Sequence, residues 1–341
     1  MAFRKIRKFF RSNAGIDLGT ANTLIYVEGK GIVFNEPTTI ALSRSGHVLD
    51  IGHRASPYLG RTPDGITALR PMARGVISDF EAVTLYLRAI LSEVKDASGM
   101  LTPAVVVCVP SNITRTEQRT VLDAVREAGI KRAWLMEETM AAAAGAGLLV
   151  ESSPPSMVVD IGGGTTEAAV ISDMAYVASE TLRAAGDEFT QAVERYVRKE
   201  HSLVIGEMAA ERLKWDAGAA PGFEGEGISV DITGKDAVSG MPATFRITSG
   251  DMSSCFESIL DEIVAMITNI TRQLDLDTMH HIAKQGITLT GGGALLRGME
   301  SYLSRECRMK FRLVPDPLTT VISGAGRAVE NIEKYRPVFI N

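Results

Sequence analysis

The sequence predicts an α/β protein built from two like halves, and three observations carry that prediction. A string of 13 residues, GIDLGTANTLIYV from Gly15, is echoed 143 residues later by VVDIGGGTTEAAV from Val158. Strand-like apolar runs alternate with amphipathic helix-like segments on both sides of the echo, the pattern of α/β folds. The length, 341 residues, suits about two domains of ordinary size.

Each copy of the repeat has the order apolar, Asp, apolar, Gly, then small and hydroxyl residues, then an apolar run, and so reads as strand, tight turn, strand. In the first half, GIVFNEPTTIAL supplies more strand, and AVVVCVP precedes the helix TRTEQRTVLDAVREAG. In the second half ITLTGGG precedes a helix expected over ALLRGMESYLSRE. The stretch SSPPS over 152–156 reads as a boundary linker, and 217–227 as an exposed loop.

Composition excludes several classes. Hydrophobic residues at 45% and charged residues at 23% describe a chain that can offset its ordering entropy by burial rather than remain disordered. The longest apolar runs fall short of the roughly 18 residues that span a bilayer. Three scattered cysteines, Cys108, Cys255 and Cys307, form no CxxC, which argues against a disulfide framework or zinc ribbon and points to a reducing cytoplasm. The net charge of −5 argues against a general nucleic-acid partner.

That net charge conceals a local asymmetry. The first eleven residues, MAFRKIRKFFR, carry five cations and no acid. At about 100° per residue on a helix, Phe3, Ile6, Phe9 and Phe10 share one face and the cations fill the other. Such a helix over residues 1–11 is expected to lie in the headgroup plane of an anionic membrane. Each cation contributes about 1 kcal/mol near such a surface, and a helix this short is marginal in water. One copy therefore holds weakly, and many copies on one scaffold hold by effective concentration.

The repeat turns are the candidate chemistry. Thr20, Ala21 and Asn22 in the first, and Gly162, Gly163, Gly164 and Thr165 in the second, are small residues whose exposed N–H groups can cradle phosphate oxygens. Asp17 and Asp160 precede these turns, and a carboxylate beside phosphate calls for a bridging Mg²⁺. A third run, LTGGGALLRG from Leu289, offers Gly292, Gly293, Ala294 and Leu295 at a strand end. Neither GxxxxGK[ST] nor HExxH occurs, and no turn fits GxGxxG with its distal acid, so Walker, Rossmann and zinc-protease sites are disfavoured. Glu137 and Glu138 open an alanine-rich helix; an acid there is commonly a dipole partner, and between two halves it could instead orient water toward a γ-phosphate.

Taken in order, IDLGTANTLIYV, RPMARGVISDF, VVDIGGGTTEAAV, AAGDEFTQAVERYV, IGEMAAERLK and LTGGGALLRG resemble the MreB family of bacterial actin homologues over essentially the whole chain, and more distantly actin, Hsp70 and sugar kinases. The resemblance implies an actin-like fold of two RNase H-like halves, each with a smaller inserted subdomain, and a nucleotide in the central cleft. It places the first half over 12–150 with a subdomain at about 32–75, and the second over 151–315 with a subdomain at about 181–245. The segment 316–341 would return as a helix to the first half. It implies ATP or ADP with Mg²⁺ near Asp17 and Asp160. Glu138, helped by Thr165, would orient the attacking water for a weak ATPase activity. Glu211, Arg212, Leu213 and Lys214 with Gly292–Leu295 would form the adenosine side, and Met100 and Leu101 an apolar tip near the membrane helix.

As partners it implies further copies of the chain in filaments of paired antiparallel protofilaments, anionic lipid on the inner face of the cytoplasmic membrane, and membrane proteins of the cell-wall elongation machinery that maintains rod shape. Two positions depart from the family pattern. Thr139 stands where proline is usual, and Ala185-Gly186 replaces a glycine pair before Asp187. Proline fixes φ and removes a donor, so threonine is expected to loosen the helix start and slow hydrolysis while leaving ATP binding intact. A small-molecule kinase of the same superfamily would need a second-substrate pocket, and a chaperone would need a peptide-binding domain; the sequence gives no sign of either.

Overall fold

The computed structural model describes residues 12–60, 63–98, 104–149, 154–223 and 227–340. The membrane candidates Phe3, Ile6, Phe9, Phe10, Met100 and Leu101 lie outside them.

Both repeat strings fold as antiparallel hairpins at the centre of five-stranded sheets. In the first half, β1 (Ala14–Leu18) pairs with β2 (Asn22–Val27), which pairs with β3 (Gly31–Pro37). On its other side β1 runs parallel to β9 (Ala104–Val109), which runs parallel to β10 (Arg132–Glu137). In the second half β11 (Ser156–Ile161) pairs with β12 (Thr166–Ser172) and through it with β13 (Ala175–Leu182). Its parallel neighbours are β17 (Ile287–Thr290) and then β18 (Phe311–Leu313). Both sheets thus have the same strand order, so Asp17 and Asp160 occupy equivalent positions near the ends of their first strands.

Smaller sheets rise from each half. One joins β4 (Ile40–Ser43), β5 (Val48–Ile51) and β6 (Ile66–Leu69), followed by a two-stranded hairpin of β7 (Met72–Ala73) and β8 (Val76–Ile77). The subdomain expected from about residue 32 starts later, because β3 is hydrogen-bonded into the main sheet. The other small sheet joins β14 (Leu203–Val204), β15 (Ser229–Asp236) and β16 (Pro242–Thr248); the expected bounds 181 and 245 fall inside β13 and β16.

The helices are α1 (Phe80–Ser98), α2 (Arg115–Glu127), α3 (Glu138–Gly145), α4 (Gly186–His201), α5 (Glu207–Ala217), α6 (Ser249–Arg272), α7 (Leu276–Gln285), α8 (Met299–Glu306) and α9 (Thr320–Glu330). Reciprocal capping boxes start two of them, Thr114 with Glu117 at α2 and Thr248 with Asp251 at α6. Each cap is a boundary readable from sequence and contributes about 1 kcal/mol. The helix expected from Ala294 starts five residues later, at Met299. A 3₁₀ turn covers Gly292–Leu295, and Gly298 at φ +76° redirects the chain. The loop expected to be exposed over 217–227 is buried at its start, where Ala217, Ala219 and Ala220 are core and Ala219 bridges to Arg297.

Each half has its own apolar core, one centred on Tyr86, Leu87 and Ile90, the other on Phe189, Phe256 and Phe311. A third core joins them, with Ala141–Ala144 of α3 packed against Ile322, Ala325 and Ala328 of α9 and against Val158 and Ala169 of the second sheet. This contact needs bare backbone at two crossing points. A Cβ on Gly145 would fall on the Thr320 carbonyl, and one on Gly324 on the Ala141 carbonyl. Gly324→Ala should therefore destabilise the protein by about 3 kcal/mol, the upper end for overpacking. Urea unfolding measures it, with Gly250→Ala on the exposed first turn of α6 as a control expected to be neutral or stabilising by up to about 1 kcal/mol.

Candidate functional site

The two main sheets face each other across a cleft of about 500 Å³. Its floor is made of the two hairpin turns. Asp17 leaves β1 and Asp160 leaves β11, both ahead of their turns, because an extended strand of alternating direction brings each carboxylate to the cleft side. Thr20, Ala21 and Asn22 line one side, and Gly162, Gly163, Gly164 and Thr165 the other. The turns come so close that a Cβ on Gly163 would lie 2.8 Å from that of Ala21, so glycine here is a requirement of close approach. The β7–β8 hairpin reaches the same point, where the Gly75 N–H donates to Thr20 Oγ1 at 2.9 Å. Glu138, the first residue of α3, completes the floor.

Four carboxylates converge here in surroundings that favour their neutral forms. Burial, and then the nearby Asp160, push Asp17 up to about 7. Burial alone pushes Asp160 to about 7. Glu138 is held well above the usual carboxylate range by burial and then by Glu167, Asp17 and Asp160. Glu167 on β12 is pushed to about 8 by burial and Asp160, against the opposing effect of donation from Ser111. Asp160 also keeps one buried oxygen, Oδ1, without a hydrogen-bond partner.

Acidic groups beside phosphate-cradling turns, one with an unsatisfied oxygen, fit a hard divalent cation. Among the described residues no group of three or more His, Cys, Asp or Glu could by itself hold a metal ion. Mg²⁺ takes one or two carboxylates and completes its shell with water and phosphate.

Farther along the cleft, α5 contributes Glu211 and Lys214. Lys214 Nζ donates to the Gly186 carbonyl (2.9 Å), Thr190 Oγ1 (2.9 Å) and Glu211 Oε2 (2.6 Å). Thr190 also donates to the same Glu211 oxygen. Gly292, Gly293 and Leu295 line the opposite wall. Three expected site residues do not reach the cleft. Arg212 faces solvent and pairs with Asp216, while Leu213 and Ala294 are buried in the core of the second half. A helix of 3.6 residues per turn cannot aim four consecutive side chains one way.

The structure adds residues that sequence reasoning missed. Trp215, 66% exposed, lines the cleft together with Arg297, Leu318 and Val321. Asp187 also lines it, and Arg70 from the first half spans the mouth to Glu207 (2.9 Å) and Asp187 (3.6 Å) of the second. Glu167 is 1% exposed. Its signal was an acid ahead of the apolar AAV of a strand, where burial demands a partner; the others depended on which way a side chain turns.

Two sheets of one topology, meeting at paired Asp and small-residue turns around a cleft, define the class of actin-like proteins. A family model described as MreB/Mbl protein matches residues 11–337, and this chain belongs to the MreB/Mbl family. It is 41% identical over 342 aligned residues to the cell shape-determining protein MreB of Pasteurella multocida, with 98% of this chain and 97% of that protein covered. Among solved structures, MreB5 of Spiroplasma citri bound to ADP superposes with a TM-score of 0.90 at 31% identity, over 96% of this chain and 99% of that one. The same protein bound to AMPPNP gives 0.88 at 30%, over 96% and 98%. A MamK double helical filament gives 0.78 at 20%, over 94% and 99%, a likeness of fold alone.

Proposed function

We propose that this protein is a membrane-associated, actin-like cytoskeletal protein of rod-shaped cells that binds ATP with Mg²⁺, hydrolyses it slowly and polymerises on the inner face of the cytoplasmic membrane, where it directs cell-wall synthesis. The observation that carries this reading is the cleft, with an Asp and small-residue turn contributed by each half and Glu138 between them. The nucleotide-bound MreB5 structures and the MreB relative named as cell shape-determining support it. Lipid attachment is supported by the basic amphipathic residues 1–11; no helix among the described residues is long and apolar enough to cross a membrane.

In this reading the backbone N–H groups of 20–22 and 162–165 hold the phosphates, and Asp17 and Asp160 would hold Mg²⁺, which would supply positive charge to offset that of the phosphates. Glu138, with Thr165, orients water for in-line attack. Lys214 and Glu211, fixed by Thr190 and Gly186, shape the nucleoside side, and Trp215 and Leu318 offer an apolar wall.

Electron microscopy on anionic lipid tests the reading, with Mg²⁺-ATP, without nucleotide, and with a chain lacking Met1 to Arg11. Membrane-attached filaments that need both nucleotide and the N-terminus are expected. The shortened chain should lose liposome co-sedimentation and keep ATP binding; unchanged pelleting would overturn the role of residues 1–11. Monomers under every condition would overturn the cytoskeletal reading and turn the search to phosphoryl acceptors.

A further inference from the structure

Glu138 is the first residue of a helix that does not cap itself. At the N-cap position of α3 stands Glu137, whose side chain makes no capping hydrogen bond. The first turn is held from outside instead. Glu137 Oε1 accepts from the Asn112 N–H at 3.1 Å. On the other flank Thr139 is 0% exposed, and its Oγ1 lies 2.8 Å from Ser111 Oγ and 2.7 Å from the Tyr176 hydroxyl. The expectation that threonine loosens this helix start is therefore reversed: its hydroxyl ties the start down on two sides.

These contacts cross from one half to the other. Ser111 and Thr139 belong to the first half, whereas Tyr176 lies on β13 of the second. Ser111 donates to Glu167 on β12 through both its N–H (2.8 Å) and its hydroxyl (3.0 Å), and the Ser111 carbonyl accepts from Thr181 on β13 at 3.1 Å. The chain of contacts thus begins and ends on the second half, with the start of α3 gripped between. Glu167 is two residues beyond Thr165, so the grip and the phosphate turn share one strand origin. A buried, partnered polar cluster has few alternative arrangements, so the separation between Glu138 and that turn is set by this cluster rather than by a helix cap.

We propose that Thr139 is a positioning residue: through Ser111, Tyr176 and Glu167 its hydroxyl fixes Glu138 relative to the phosphate turn of the opposite half, so that losing it slows hydrolysis without weakening nucleotide binding. This rests on the hydrolytic role of Glu138 proposed above. A displacement of about 1 Å at a reacting group can cost as much as a hundredfold in rate, whereas nucleotide affinity is spread over the whole cleft.

Single-turnover phosphate release and ADP affinity, measured on Thr139→Val, Tyr176→Phe, the pair together and Thr139→Ser, test it. Thr139→Val is expected to release phosphate about tenfold more slowly with affinity within about threefold of the parent. The double variant should be little slower than Thr139→Val alone, since that change already removes the link to Tyr176, and Thr139→Ser should recover most of the rate. A parent-like rate in Thr139→Val, rate losses that multiply in the double variant, or equal losses of rate and affinity would overturn the inference. A parent protein that releases no phosphate would overturn the hydrolytic reading as well, which separates the two failures.

Discussion

Replacing Asp160 with alanine should weaken Mg²⁺-ATP binding by about 100-fold, because groups one shell farther from a metal already cost 10- to 100-fold when removed. Its carboxylate is buried, keeps one oxygen unpartnered and stands beside the glycine turn, which is where the proposed reading would place the cation. Titration calorimetry in magnesium buffer measures the loss; unaltered affinity would remove Asp160 from the site. The pH dependence adds a second signature. Asp17 and Asp160 are each pushed up to about 7 without a metal, so below that pH the cation must displace protons. Affinity of the unaltered protein should fall by about a hundredfold from pH 8 to pH 6, roughly tenfold for each carboxylate that must lose a proton, and the alanine variant should show a flatter profile. Stability of the nucleotide-free protein should have the opposite slope. Between the unfolded value near 4 and the folded value near 7 the native state binds more protons, so stability falls as pH rises through that window.

Glu138→Gln should slow phosphate release by about 100-fold while leaving nucleotide affinity within about threefold. Positioned acid–base and water-orienting groups contribute on the order of 10² to 10⁴ in rate, and they act on the transition state rather than on the bound ground state. The glutamine keeps the size of the side chain and removes its charge and basicity. Burial, and then three other carboxylates, raise the proton affinity of Glu138, and in the proposed site positive charge from Mg²⁺ would favour its ionised form. Equal loss of rate and affinity would make Glu138 a structural residue of the cleft instead. Quenched-flow phosphate release beside equilibrium binding separates the two.

These two residues were legible in the sequence for different reasons. Asp160 was visible because its string repeats that around Asp17, and a repeated turn chemistry is improbable by chance. Glu138 was visible through its place before an alanine-rich helix and through family resemblance, which together could not say what holds it there. Arg212, Leu213 and Ala294 show the complementary error. A matching string marks a segment, and only the helical turn or the 3₁₀ geometry decides which of its side chains reach the cleft. Thr139 was noticed as a departure and read as a loss, because the partner hydroxyl of Tyr176 is 37 residues away in the chain.

What the sequence determined by itself was the set of local features: the duplicated Asp and glycine turns, the α/β alternation and the separation of charge in the first eleven residues. Each is written in neighbouring residues, whose backbone and side-chain preferences act over a few positions. What only the tertiary structure decided was everything that needs two distant segments to meet. The approach of Gly163 to Ala21, the crossing of α3 on α9 at Gly145 and Gly324, the rim contact of Arg70 and the grip of Ser111, Thr139 and Tyr176 on Glu138 all depend on how the two halves close. Burial then sets the electrostatics of the cleft, since four acids that would be ordinary in water become proton-holding groups only where packing removes the solvent.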